Sequence, residues 1–273
     1  MRIALAQMQV GFDKAANLKK MELLVEEAST QGADLIVFPE ASMYNFDDRA
    51  AGAAEPIDGP FVNALIDLAR LHHIWLVAGV FESSADAARA YNTLVLVDDK
   101  GKLVDCYRKI HLFDAFGRQE SKDFLAGDGQ TVVFECAGMT LGLITCYDLR
   151  FPELARRLAY QGAQAIVLSA AWFAGPLKEM HLETLCRARA IENNCYVAAA
   201  LQVGKDYAGS SLVVDPMGVI QASRGELEGL LISELVNERV DKVRAYSPTL
   251  KNSRADLYAR WQDNKWYQEH AID

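Results

Sequence analysis

The sequence has few cysteines and histidines, and their spacing is not typical of metal sites or disulfide frameworks. It contains five cysteines and five histidines among 273 residues, without a C-x-x-C pair. This pattern argues against the common zinc and iron–sulfur motifs. An odd number of cysteines, and an N-terminus that is patterned as a strand rather than a secretory signal, favour reduced thiols. We therefore expect no metal site and a cytoplasmic location.

Excess positive charge and long apolar runs are also lacking. The formal net charge is −9, and lysine and arginine form no cluster. We therefore expect no nucleic-acid partner. No apolar run reaches the roughly 20 residues that a membrane-spanning helix requires, so we expect no membrane partner either. A composition of 51% hydrophobic and 24% charged residues is typical of a globular chain that buries a large core.

The sequence does contain a pattern of elements that occurs twice. Each half has the order strand, helix, strand, helix, strand and hairpin, with the turns DDKG and DPMG. The predicted strands are 2–9, 34–38, 74–81, 91–97 and 102–108 in the first half, 139–145, 165–169, 196–201, 211–214 and 219–222 in the second, and finally 230–235. The predicted helices are 13–31, 59–71, 152–161, 176–193 and 237–245.

This duplication predicts an α/β fold in which two similar sheets pack face to face, with helices outside. An ordinary doubly wound single sheet is the alternative. The expected domain covers residues 1–255. The tail, residues 256–273, contains Trp261, Trp266 and Tyr267, and we expect it to pack on the body or on a partner subunit.

Cys146 is the strongest candidate for a reactive residue. It lies in MTLGLITCYDLRFPE (139–153), where an apolar strand ends and Asp148, Pro152 and Glu153 indicate a helix start. Amide donors and the helix dipole at such a junction can favour the thiolate, which is the nucleophilic form. The alternative is a small buried side chain, and we assign that role to the other four cysteines, Cys106, Cys136, Cys186 and Cys195.

Three charged residues stand at element boundaries that could meet Cys146. Glu40 ends the second predicted strand, Lys109 ends the first hairpin, and Glu120 lies in a long segment, 110–130, with little periodicity. Because strand C-termini face the crevice in α/β folds, we expect Glu40 and Cys146 at one crevice edge. Each of the three could instead be an ordinary surface charge.

The segments around these residues resemble those of a known family. FPEAS around Glu40, YRKIHLF around Lys109 and GLITCYDLRFPEL around Cys146 are similar to the motifs of the nitrilase superfamily of carbon–nitrogen hydrolases, in the same order. The resemblance covers residues 2–258. It implies a four-layer αββα sandwich with an internal pseudo-twofold duplication, a catalytic triad of Glu40, Lys109 and Cys146, and a second glutamate at Glu120. It also implies assembly as a homodimer or a larger homo-oligomer.

The implied reaction is cysteine-dependent hydrolysis of a carbon–nitrogen bond. Glu40 would take the proton of Cys146, the thiolate would attack an amide carbon, and a thioester would form as ammonia leaves. Lys109 and the backbone N–H of Tyr147 would stabilise the oxyanion. This chemistry needs no metal and no organic cofactor.

The string CYDLRFPEL resembles the branch that contains ω-amidase and deaminated glutathione amidase. That resemblance implies a small-molecule partner, a dicarboxylate monoamide, whose free carboxylate needs a cation. Arg150 is our candidate for that role, although it could instead pair with Glu153. Tyr44, Trp172 and Phe173 could line the pocket or pack in the core. An N-carbamoyl amidohydrolase or a nitrilase with the same triad, and a non-enzymatic binding protein, are the alternative functions.

Overall fold

The first sheet is built mainly by the first half of the chain. The protein was analysed as a computed structural model that describes residues 1–47 and 49–262. Six strands precede residue 130: β1 (Arg2–Gln7), β2 (Leu35–Val37), β3 (Trp75–Ser83), β4 (Ala90–Val97), β5 (Leu103–Arg108) and β6 (Phe124–Leu125). Strands β1 to β5 lie in sequence order, and the short β6 pairs with β4.

The second sheet is built by the second half. Its six strands are β7 (Val133–Cys136), β8 (Met139–Thr145), β9 (Ala165–Ala170), β10 (Tyr196–Leu201), β13 (Leu212–Val214) and β14 (Ile220–Ser223). A separate two-stranded hairpin is formed by β11 (Val203–Gly204) and β12 (Tyr207–Ala208), and the last strand of the chain is β15 (Gly229–Glu234). The sheet order is β14-β13-β10-β9-β8-β7, whereas β15 returns to the first sheet and pairs antiparallel with β1.

Helices connect and cover these strands. They are α1 (Lys14–Thr30), α2 (Pro60–His72), α3 (Pro152–Tyr160), α4 (Lys178–Asn193), α5 (Asn237–Tyr246), α6 (Thr249–Asn252) and α7 (Ala255–Gln262). Three 3₁₀ turns lie at Ala51–Ala53, Glu120–Lys122 and Cys146–Arg150. None of the helices in the described part of the chain is both long and apolar enough to cross a membrane.

The internal duplication is confirmed by the strand order. In the first sheet, β1, β2 and β3 run parallel and are followed by the antiparallel pairs β3–β4 and β4–β5. In the second sheet, β8, β9 and β10 are parallel and are followed by the antiparallel pairs β10–β13 and β13–β14. The two halves therefore repeat one topology, and each sheet gains one antiparallel edge strand.

The sheets pack face to face and are covered by helices because successive apolar side chains of a strand point to opposite faces of its sheet. On β1, Ile3 and Leu5 belong to the core between the two sheets. Their neighbours Ala4 and Ala6 join Met21 of α1 in a second core, beneath the helices of the first sheet. This alternation has the period of two expected of a strand. The result is the predicted four-layer αββα sandwich, with the cores between its layers.

Several parts of the chain differ from the predicted elements, including the short hairpin β11–β12 and helix α6, which were not predicted. Strand β7 was not predicted, because its turn to β8 is Ala137-Gly138 rather than a stronger turn pair. Both turn residues have positive φ, +46° and +74°, as a two-residue hairpin requires. Segment 110–130 contains a 3₁₀ turn and β6. The predicted packing of the tail, residues 256–273, falls mainly outside the described residues and stays a prediction.

Candidate active site

Glu40, Lys109 and Cys146 lie where strands end, and the two facing sheets bring these ends to one cavity. Lys109 directly follows β5 and Cys146 directly follows β8, whereas Glu40 comes shortly after β2. A bond between the sheets holds the Glu40 backbone, since Gln202 Nε2 donates to its carbonyl oxygen at 2.8 Å. Glu40, Lys109, Glu120 and Cys146 all line the cavity. The fold therefore brings Glu40 and Cys146 to one crevice, as the sequence analysis predicts.

The ammonium group of Lys109 joins two carboxylates. Its Nζ lies 2.8 Å from Oε1 of Glu40 and 2.8 Å from Oε2 of Glu120. All three side chains are buried, with exposed fractions of 2%, 1% and 7% respectively. Burial acts to lower the pKa of Lys109, but the Glu120 and Glu40 carboxylates outweigh burial and raise it well above its usual value. Lys109 therefore carries a stable positive charge inside the cavity.

Two hydrogen-bond donors that the sequence analysis missed orient the Glu40 carboxylate. Asn92 Nδ2 donates to Oε1 of Glu40 at 2.7 Å and to Oε1 of Glu120 at 3.0 Å. The backbone N–H of Ala171 donates to Oε2 of Glu40 at 2.8 Å. Asn92 could have been found from its place in AYNTLVLV, where an amide interrupts an apolar strand. A backbone donor such as Ala171 has no comparable sequence signal.

Glu120 is fixed although it comes from the long connecting segment. It begins a 3₁₀ turn, and its Oε2 accepts a hydrogen bond of 2.6 Å from the backbone N–H of Phe113. Its own N–H donates to the carbonyl oxygen of Phe113 at 3.3 Å. These two bonds close the segment on itself and present the carboxylate to Lys109.

Cys146 occupies a strained turn immediately after β8. Its φ is +45°, a left-handed conformation that residues other than glycine rarely adopt. The 3₁₀ turn Cys146–Arg150 follows, and the thiol lies in the cavity wall beside Glu40 and Lys109. A sharp turn of this kind brings a side chain off the end of a strand and into a cavity.

Asp148 marks a helix start, as its position in the sequence indicates, but the helix that it caps is the 3₁₀ turn Cys146–Arg150 and not α3. Helix α3 begins after Phe151, which has no side-chain capping bond. The Asp148 carboxylate is buried and accepts bonds from Tyr107 Oη at 2.6 Å and from Thr145 N at 3.0 Å. It also accepts from the backbone N of His111 at 3.0 Å and contacts His111 Nδ1 at 2.7 Å.

The electrostatic environment of Cys146 favours the thiol over the thiolate. Burial, the charge of Glu40 and a hydrogen bond to Glu40 all raise the pKa of Cys146 well above its usual value, whereas Lys109 acts in the opposite direction. Burial and Glu40 therefore oppose the thiolate that a strand–helix junction was expected to favour. A base must remove the proton when the sulfur attacks, and Glu40 is the carboxylate in contact with it.

The cavity has a volume of about 300 Å³ and a mixed aromatic and charged wall. The wall includes Tyr147, Arg150, Trp172 and Phe173, which the sequence analysis selected. Their roles in binding stay predictions. Tyr44 is outside the wall, and its ring packs edge-on against Phe12 with 5.6 Å between ring centroids, so the prediction that Tyr44 lines the pocket was wrong.

Three cations of the wall were also missed, namely Arg118, Lys122 and Lys178. Arg118 is exposed and lies 3.7 Å from the centroid of the Phe173 ring. Lys178 is buried in the first turn of α4, where a lysine opposes the helix dipole. Within the described ranges, no three metal-ligating side chains are grouped into a candidate metal site.

Arg150 makes no ion pair with Glu153, the partner considered from the sequence, or with any other carboxylate of the described residues. Its guanidinium lies 5.0 Å from the centroid of the Trp172 ring and 5.9 Å from that of Tyr147. Its Nη2 is 3.4 Å from Nδ1 of His181. The positive charge of Arg150 is therefore available to form an ion pair with a bound anion.

Known proteins with similar sequences and folds are amidases. The sequence profile of the carbon-nitrogen hydrolase family matches residues 2–245. A deaminated glutathione amidase of Escherichia coli O157:H7 is 38% identical over 93% of this chain and 97% of its own, and an omega-amidase of Mus musculus is 38% identical over 94% and 96%. An amidase from Nesterenkonia sp. has a TM-score of 0.82 at 28% identity, with 96% of each chain covered.

These matches confirm the resemblance to the nitrilase superfamily and to its ω-amidase branch. They extend over nearly the whole chain and agree with the duplicated sandwich and with a cysteine in a charged cavity. The chain belongs to the carbon-nitrogen hydrolase family and is an enzyme that acts on amides.

Proposed function

We propose that this enzyme hydrolyses short linear carboxamides through a thioester on Cys146. The observation that carries the proposal is the contact of Lys109 with both Glu40 and Glu120 at 2.8 Å, beside a buried cysteine. A nucleophile, a base and a fixed cation are the groups that acyl transfer requires. Here all of them line one cavity.

The reaction proceeds in two halves. Glu40 takes the proton of Cys146 as the sulfur attacks the amide carbon, and Lys109 with the Tyr147 N–H stabilises the negative oxygen that results. Glu40 then gives that proton to the departing nitrogen, so ammonia leaves and the acyl group remains on sulfur. In the second half Glu40 takes a proton from water, the hydroxide attacks the thioester, and the carboxylic acid is released as the thiol reforms.

Glu120 acts on this reaction through Lys109. Its carboxylate supports the positive charge of the lysine and shares Asn92 with Glu40. We therefore assign Glu40 and Cys146 to bond making and proton transfer, Lys109 to stabilisation of the oxyanion, and Glu120 to positioning.

The proposed substrates are dicarboxylate monoamides. This class is supported by the amidases that the chain resembles, whose names specify deaminated glutathione and ω-amides. It is also supported by the unpaired charge of Arg150 in the cavity wall, which suits a substrate carboxylate. Trp172 and Phe173 would contact the carbon chain of the substrate.

The test combines turnover with detection of the intermediate. Purified enzyme is mixed with succinamate, α-ketoglutaramate and deaminated glutathione, and the released ammonia or amine is measured. A mass spectrum of the intact protein with a slow amide should show an acyl adduct that is lost in Cys146→Ala. Release of carbon dioxide from N-carbamoyl compounds, or turnover of nitriles only, would instead indicate a different branch of the family.

We also propose that the enzyme works in the cytoplasm as a homodimer or a larger homo-oligomer. Exposed apolar side chains support an assembly, because Tyr160 at the end of α3 is 49% exposed and Met180 and Ile191 on α4 are 53% and 50% exposed. Sedimentation velocity at micromolar concentration tests this proposal, and a single species with the mass of one chain would contradict it.

A further inference from the structure

Lys178 is a buried cation without a carboxylate partner among the residues that the structure describes. Its exposed fraction is 6%, and its ammonium contacts aromatic rings instead. The Nζ atom lies 4.1 Å from the centroid of the Phe116 ring, 5.1 Å from that of Phe113 and 5.4 Å from that of Trp172. Buried charges in proteins are normally paired, so this lysine needs an explanation.

Hydrogen bonds of the backbone hold Lys178 in this position. Its N–H donates to the carbonyl oxygen of Gly175 at 3.1 Å, and its own carbonyl oxygen accepts a bond of 2.9 Å from Trp172 Nε1. The preceding Leu177 has a φ of +60°, which turns the chain sharply into α4. Lys178 and the Trp172 ring of the cavity wall are therefore fixed relative to each other, as a prepared binding site requires.

The electrostatic surroundings make the unpaired charge unfavourable in the free enzyme. Burial lowers the pKa of Lys178, and the positive charges of Arg150 and Arg118 lower it further, whereas Cys146 acts in the opposite direction. Cation–π contacts compensate for only part of the lost hydration. An anion bound in the cavity would compensate for the rest.

Lys178 and Arg150 approach the same aromatic surface. Both lie over the Trp172 ring, at 5.4 and 5.0 Å from its centroid, and over the Phe116 ring, at 4.1 and 5.6 Å. Both also line the cavity that contains Cys146. An ammonium and a guanidinium that converge in this way can share the two oxygens of one carboxylate.

We propose that Lys178 is a specificity-determining residue that binds the substrate carboxylate together with Arg150. On this basis the enzyme selects anionic amides over neutral amides of the same shape. The inference rests on the proposed amidase function and adds to it the residue that recognises the charge. Glu40 and Glu120 line the same cavity, and their negative charges disfavour a substrate carboxylate beside Cys146, which orients the amide toward the thiol.

The experiment compares two substrates that differ in one charged group. Succinamate carries a carboxylate where succinamide carries a neutral carboxamide of similar size. In Lys178→Gln we expect kcat/KM for succinamate to fall about 10- to 100-fold, because one charge-assisted hydrogen bond is lost. For succinamide we expect a change of less than about twofold. Lys242→Gln is the matched control, since Lys242 is exposed on α5 and is not among the residues that line the cavity, and it should leave both values near those of the wild type.

Equal losses for both substrates would overturn the inference, because they would indicate a structural role for Lys178. Unchanged kinetics for succinamate would also overturn it. Calorimetric binding of succinate to the wild type and to Lys178→Gln gives a readout that does not depend on turnover. Weaker binding in the variant would support the inference even if neither amide were hydrolysed, an outcome that would count against the proposed function alone.

Discussion

At the scale of single residues, the site keeps its nucleophile protonated until it is used. Burial and Glu40 raise the pKa of the Cys146 thiol, and Lys109 acts in the opposite direction. Lys109 is itself kept charged by Glu120 and Glu40. The carboxylate that will accept the proton thus also prevents its early loss, which protects the sulfur from unwanted alkylation or oxidation.

Removal of the Glu40 charge should make Cys146 more acidic although it abolishes turnover. In Glu40→Gln the repulsion that disfavours the thiolate is lost and Lys109 remains, so the pKa of Cys146 falls. The pH at which iodoacetamide alkylation of Cys146 is half-maximal should therefore be lower than in the wild type, as followed by peptide mass spectrometry. Cys186 is an internal control, because burial raises its pKa to about 12. A higher midpoint in the variant would contradict this account.

Asn92 should act as a positioning residue for the two glutamates. Asn92→Ala removes the donor that contacts Glu40 and Glu120, and we expect kcat to fall about 10- to 100-fold with little change in KM. Asn92→Asp should be more harmful, because it places a third carboxylate beside the other two. Steady-state kinetics on succinamate and circular dichroism of the folded variants provide the measurement. A rise in KM at unchanged kcat would assign Asn92 to substrate binding instead.

At the scale of elements, the site depends on how closely the turn after β2 approaches β3. Gly79 on β3 has no room for a side chain, since an added Cβ would lie 2.4 Å from the backbone N of Ala41 and 2.7 Å from Cα of Glu40. Ala41 has a φ of +57°. The glycine therefore allows the strained turn that carries Glu40 to lie against the sheet.

Gly79→Ala should move Glu40 and destabilise the fold. Because the clash is with backbone atoms, we expect the free energy of unfolding to decrease by about 1–3 kcal/mol and most of the activity to be lost. Gly52→Ala is the control, since nothing lies within 4 Å of its added Cβ. Urea denaturation and amide turnover are measured for both variants. If Gly79→Ala and Gly52→Ala had the same stability and activity, the close contact between the Glu40 turn and β3 would not be required for the site.

The parts of the site that could be predicted from the sequence are those that depend on local sequence patterns, whereas the parts that depend on tertiary packing could not be predicted. Glu40, Lys109 and Cys146 come near the ends of predicted strands, but the strand pattern alone left each of them open, and it was the resemblance of the surrounding motifs to the nitrilase superfamily that implied a triad. Asp148 indicated a helix start but not its type, because a capping carboxylate has the same local sequence at a 3₁₀ turn, where it is found, as at an α-helix. Lys178 could not be predicted as part of the cavity, because its position depends on the left-handed backbone of Leu177 and on packing against Trp172.

At the scale of the whole molecule, the two repeats are not independent folding units. Ile3 and Leu5 of the first sheet belong to one core with Leu141 and Leu143 of the second. Strand β1 also pairs with β15, from the far end of the described chain. Either half alone would expose the inner face of its sheet to water.

We therefore expect residues 1–130 expressed alone to lack a cooperative unfolding transition. The full chain should unfold in one transition under the same conditions, because the core between the sheets is shared. Near-ultraviolet circular dichroism and urea titration of both proteins test this expectation. A cooperative transition of the fragment would show that the first repeat is stable without the second.

The pairing of β1 with β15 has a consequence for synthesis in the cell. Strand β1 is made well before its antiparallel neighbour β15, Gly229–Glu234, so this edge of β1 stays unpaired until β15 has left the ribosome. Until β15 pairs with β1, the incomplete chain exposes unpaired backbone groups and apolar surface. Newly made copies of this enzyme should accordingly depend on chaperones during translation and complete the first sheet only once β15 is available to pair with β1.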